Sequence, residues 1–258
     1  VHCLPVVEPA IRPQDDLVGF TAFSFWLAAG VAVCNVIYTI CGLKAVMFGK
    51  LAVFTMFLML GGMVFPTIYG VLFLNETMSA FKIAGVVLLI FSMLFSVTEK
   101  TEEKKNTAVF YVLCLIAFVS NGFVSIFSKM HQIHEGALDT FQFSFWQSVI
   151  VTAVVGVALA VYAICCRKSD TLKTTAKETA GAKSLGLIFL TTVIMRAGSV
   201  LLLLAAKDVP ASLLYPLTTG ASIVVTALFG RICFGEKISK INMISLIADI
   251  VAVTLMIF

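Results

Sequence analysis

Eight apolar blocks follow one another along the chain, at 17–42, 51–74, 79–98, 107–129, 141–165, 184–207, 211–234 and 240–258. Each has the roughly 20 residues a helix needs to cross the hydrocarbon core of a bilayer. Charged residues fall almost wholly between the blocks. Inside lipid a backbone must satisfy its own hydrogen bonds, and blocks of this length do so as helices. The expected fold class is all-α: a polytopic membrane protein with eight transmembrane helices. The chain is 60% hydrophobic and 12% charged, against roughly 45–50% and about 25% in soluble domains. A soluble fold this apolar could not cover itself with polar surface.

The segment ahead of the first block, VHCLPVVEPAIRPQDD, is too polar and proline-rich to be the apolar core of a signal peptide. The seven cysteines are odd in number and mostly inside blocks, which argues against a disulfide framework. There is no phosphate-cradling glycine loop, no basic run interleaved with aromatics and no ATPase motif. Nucleic acid is therefore not an expected partner, and neither a cofactor nor a metal is expected.

Lys and Arg concentrate in cytoplasmic loops of membrane proteins. The connections alternate sides. One set holds thirteen basic residues, from Lys44 and Lys50 to Arg231, Lys237 and Lys240. The other holds four: Arg12, Lys82, Lys129 and Lys207. The loops at 43–50, 99–106, 166–183 and 235–240 are thus expected to be cytoplasmic, with Phe258 on the opposite side.

The chain also resembles itself. GVLFLNETMS at 70–79 aligns with GRICFGEKIS at 230–239, matching Gly70 with Gly230, Glu76 with Glu236 and Ser79 with Ser239 at an offset of 160. The same offset lays 51–74 and 79–98 on 211–234 and 240–258. Five blocks separate Glu76 from Glu236. An odd number inserts the two copies in opposite orientation, as in secondary transporters with a solute site between the halves. The expected units are 1–98, with three spans, and 107–258, with five. A five-span unit predicts two further spans ahead of Val1.

These segments resemble the EamA-type branch of the drug/metabolite transporter superfamily. The resemblance is carried by GGMVFPTIYGVLFLNETMSAFKIAGVVLLIFSMLF at 61–95, LLYPLTTGASIVVTALFGRICFGEKISKINMISLI at 213–247 and AFVSNGFVSIFSKMHQ at 117–132. It implies ten helices in two inverted halves, a central cavity, and movement of small metabolites without ATP hydrolysis. It also implies that 79–98 and 240–258 are peripheral.

Polar groups inside a bilayer are costly and usually face protein or water. Arg196, about halfway along 184–207 with Thr192 and Ser199 on its face, is the sharpest feature. An unpartnered guanidinium there costs at least ~2.5–3.5 kcal/mol. It either receives a carboxylate or phosphate of a solute, or is neutralised within the protein or snorkels to the interface. Asp249, the acidic residue deep in a span, is its candidate charge partner, or else a proton acceptor. In 211–234, Tyr215, Thr218, Thr219, Ser222 and Thr226 lie at helical spacing. Such a stripe fits a hydroxyl-lined cavity wall and equally fits helix packing. Asn121, with Ser125 and Ser128, Asn35 with Tyr38 and Ser24, and Gln147 with Ser144 are the other cavity candidates. Glu76 and Glu236, each in a turn before a helix start, are expected to cap that helix. His131 and His134 are expected in a surface turn.

The function expected is secondary transport of a small polar or amphipathic metabolite across a bacterial inner membrane, the partners being that solute and the lipid, with a homodimer an open option. The alternatives are a non-transporting scaffold or degenerate transporter, and an intramembrane enzyme. The enzyme would need clustered catalytic groups within the spans, which the sequence does not show.

Overall fold

The structure is a computed structural model and describes residues 19–48, 51–97, 108–165, 182–234 and 240–257. Its elements are eight helices and no strand among the described residues: α1 Ala22–Phe48, α2 Leu51–Phe73, α3 Ala80–Val97, α4 Ala108–Ile133, α5 Thr140–Cys165, α6 Ala182–Asp208, α7 Ala211–Phe234 and α8 Lys240–Ile257. The protein is an all-helical, polytopic membrane protein. Six helices are long and apolar enough to span a bilayer. The other two, α3 and α8, have 18 residues each, or about 27 Å of helix, slightly less than a hydrocarbon core of ~30 Å. The helices α6, α7 and α8 each begin 160 residues after α1, α2 and α3.

Two helices run four or more residues past the C-terminal ends of their apolar blocks. The first continues to Phe48, through Lys44. The fourth continues to Ile133, so Lys129 and His131 belong to a helix and not to a connecting loop. A polar side chain does not end a helix where neighbouring groups satisfy it, and both of these are satisfied. The connections 98–107, 166–181 and 235–239, with Glu236, lie outside the described residues; Gly230 lies within α7.

Helix ends follow local chemistry. Asn75 takes a left-handed φ of 51° just past the end of α2, a conformation Asn tolerates at a helix terminus. Ser79 Oγ accepts from Lys82 N at 3.3 Å and caps α3. Asp139 caps α5, its carboxylate accepting from Phe141 N at 3.1 Å. Pro210 opens α7, where a missing N–H costs nothing.

At the centre of the bundle is α4, packed on α1, α2 and α6. The first helix also packs on α5, and α2 on α7. The pair α3–α8 lies to one side, reaching the rest mainly through α7. Small residues set the closest approach, as expected where lipid offers no hydrophobic drive between helices. At Gly61 of α2 an added Cβ would meet the backbone of Phe118 in α4, and at Gly122 it would meet the Phe65 ring. A methionine-rich cluster of Met56, Met63, Met93 and Met256 with Leu89 fills the seam between α2, α3 and α8. In contrast, only 6% of the spanning stretch of α6 is buried.

Pro66 lies inside α2. Its missing N–H releases the carbonyl four residues earlier, at Gly62. Ser125 Oγ of α4 donates to that carbonyl at 3.2 Å, and Asn121 Nδ2 donates to Leu58 O at 2.7 Å. The polar face of α4 thus repairs the irregular backbone of α2.

Candidate functional site

A cavity of about 600 Å³ opens between α1, α4, α5, α6 and α7. Asn35 and Tyr38 enter it from α1, Ser125 and Ser128 from α4, and Gln147 from α5. From α6 come Thr191, Thr192, Arg196 and Ser199, and from α7 comes Tyr215. Valine, leucine and methionine side chains complete the wall. Thr192, Arg196, Ser199 and Leu203 line it at helical spacing, one stripe of α6. Among the described residues no carboxylate lines it, so the fixed charge those residues bring to the cavity is positive.

The polar groups divide into tied and untied. Tyr215 is buried and its hydroxyl donates to Ser125 O at 2.9 Å, fastening α7 to α4. Thr192 and Ser199 donate to carbonyls of their own helix, at 2.7 and 2.9 Å. Gln147 is only 7% exposed, yet its Nε2 has no hydrogen-bond partner. Arg196 is exposed to the cavity and pairs with no carboxylate among the described residues.

Of the sequence candidates, Arg196, Asn35, Tyr38, Gln147 and Tyr215 come together at the cavity. Others are placed elsewhere. Asn121 faces α2 and braces the Leu58 carbonyl. Thr219 and Ser222 are not lining residues; Ser222 is exposed and bonds back to Thr219 O at 2.8 Å. A helical stripe of hydroxyls spans more length than one cavity covers. Asp249 is not brought to Arg196. It is 1% exposed in α8, whose main packing is on α3 and α7. Its neighbour across the seam is Ser92 of α3, whose hydroxyl donates to Ser245 O at 2.8 Å.

One end of the cavity is bolted by charges whose roles the sequence concealed. Glu76 does not cap α3, since Ser79 does that. Its carboxylate reaches α7 and accepts from Ala211 N and Ser212 N, both at 2.7 Å. These are orphan donors of a helix N-terminus, where a negative charge is favoured. Glycine at position 70 leaves room for this carboxylate, which a Cβ there would meet. Lys129 is 4% exposed, and its ammonium donates to Ala206 O and Val209 O, each at 2.8 Å. It therefore caps the C-terminal end of α6. Nothing in local sequence points to that partnership, since the carbonyls lie about 80 residues away.

At the same end His131 is 1% exposed, stacked on Phe143 at 3.6 Å, with Ser24 Oγ 3.0 Å from its Nε2. The surface turn expected for it is thus replaced by a buried helix end. Ser24 is 0% exposed, accepts from Leu138 N at 3.1 Å, and lies outside the cavity lining. This Ser–His pair joins α1 to α4 and the turn into α5, with both side chains buried.

Residues 157–248, about a third of the chain, match the family model described as Small Multidrug Resistance protein. That stretch is similar to small membrane transporters. It contains α6 and α7, and so Arg196 and Tyr215. Together with the helical membrane fold it points to a transporter of small compounds and not to an enzyme. No curated protein matches the chain.

Proposed function

We propose that this protein is a secondary transporter of a small polar or amphipathic metabolite, of the EamA type, working by alternating access between two inverted units at 1–98 and 107–258. The observation that carries the reading is the polar cavity of about 600 Å³ between helices of both units, with Arg196 on its wall. Hydrocarbon does not tolerate a guanidinium at mid-helix; a water-filled route for solute does. The ties of Glu76 and Lys129 support a closed state at one end, which on the charge bias is the non-cytoplasmic end. Each is a small set of hydrogen bonds between rigid helices, and such contacts suit a gate that opens as a unit. A bacterial inner membrane is the proposed setting.

The test is flux in proteoliposomes with radiolabelled carboxylates, amides and amines. Saturable exchange of at least one class is expected, accelerated by unlabelled solute on the opposite side. If the folded protein exchanges none of them, the scaffold reading takes its place.

A further inference from the structure

We infer that the cavity is built for an organic anion with a second hydrogen-bond acceptor: an oxyanion at Arg196 and a carbonyl, hydroxyl or second carboxylate at Gln147. The inference rests on the transporter reading and specifies its substrate class.

Two independent observations carry it. Arg196 brings a full positive charge to the cavity wall, and among the described residues no carboxylate there neutralises it. Guanidinium is a donor alone, and its planar fork matches a carboxylate or phosphate. Gln147, from a different helix, is more than nine-tenths buried and lines the same cavity, with Nε2 unbonded. A buried amide without a partner is costly, and a solute acceptor would satisfy it. Tyr215 cannot compete for that acceptor, because its proton is committed to Ser125 O. A cationic solute would meet Arg196 with no carboxylate to offset the repulsion. A purely apolar one would leave both donors buried and unsatisfied. The residue 160 positions before Arg196 is Val36, so the charge has no counterpart in the first unit.

Binding and flux are measured separately on the full chain, with two matched series of probes. One is succinate, succinamide and putrescine. The other is 4-hydroxyphenylacetate, 4-hydroxyphenylacetamide and tyramine. Inorganic phosphate is added as a competitor, to separate a general oxyanion site from one shaped for carboxylates. At least one acid is expected to bind tenfold or more tightly than its amide and amine. Arg196→Gln should abolish that preference, Arg196→Lys should retain part of it, and Gln147→Leu should weaken the acid about tenfold. Arg196 is exposed and makes no tie between helices among the described residues, so its variants should keep the wild-type thermal transition. Amides or amines that bind as well as acids in both series would overturn the anion site, as would an unchanged preference in Arg196→Gln. Amine flux without acid preference would leave the transporter standing and remove the anion site. Acid binding without flux of any probe would do the reverse.

Discussion

The carboxylate of Glu76 and the backbone N–H of Ala211 meet at 2.7 Å, although 135 residues separate them. This contact fastens the turn after α2 to the first turn of α7, and with Ser212 it satisfies two donors at once. Glu76→Ala should destabilise the protein by about 3 kcal/mol, given two hydrogen bonds to a charged acceptor. Glu76→Gln should lose about half of that, since one acceptor oxygen remains. Thermal unfolding in detergent measures both. Equal transitions for wild type and Glu76→Ala would mean that the tie contributes nothing.

Lys129 fastens the neighbouring helix end. Lys129→Met keeps the aliphatic stem and removes the donors, leaving two carbonyls at the end of α6 without their partner. A loss of about 2–3 kcal/mol is expected. If the contact is a gate, the variant should also open the cavity from that end. The readout is maleimide labelling of Ser128→Cys, a lining position, in a background without other cysteines. Faster labelling by a membrane-impermeant reagent from the non-cytoplasmic side is expected, and an unchanged rate would rule out gating by Lys129.

Two glycine substitutions should behave in opposite ways. Gly61→Ala places a methyl group against the Phe118 backbone, which cannot rotate aside as a side chain can. It should cost about 1–3 kcal/mol by forcing α2 from α4. Gly186→Ala, in α6, meets nothing within 4 Å and should be neutral or stabilising by up to ~1 kcal/mol through helix propensity. Unfolding midpoints of the two variants, measured side by side, decide the matter.

Asp249→Asn should leave solute affinity within about 0.5 kcal/mol of wild type, as expected for sites without shared partners. Asp249 is buried in the α3–α8 seam with Oδ1 unbonded, away from the cavity lining. Isothermal titration with the bound acid reads the effect. A large loss of affinity would instead connect Asp249 to the solute path.

Much of this molecule was legible in one dimension. Spans declare themselves because lipid demands long apolar helices, and a guanidinium in such a span stands out because lipid penalises it. The 160-residue spacing is also written in the chain, in the Gly70–Glu76 turn and its second copy. Arg196, Asn35, Tyr38 and Gln147 could be picked out as polar residues within the spans for the same reason.

What the chain could not declare is which polar residues face one another. Asn121 and Tyr215 look alike as cavity candidates, yet one braces α2 at Leu58 and the other stands at the cavity wall. Glu76 reads as a local cap until α7 is placed beside it, and Lys129 reads as a loop residue until the end of α6 is. Helical periodicity fixes the face of each helix that is polar, because it depends on the rotation per residue alone. The partner of that face depends on how separate helices rotate and pack, and that is settled only by contacts between residues far apart in the chain.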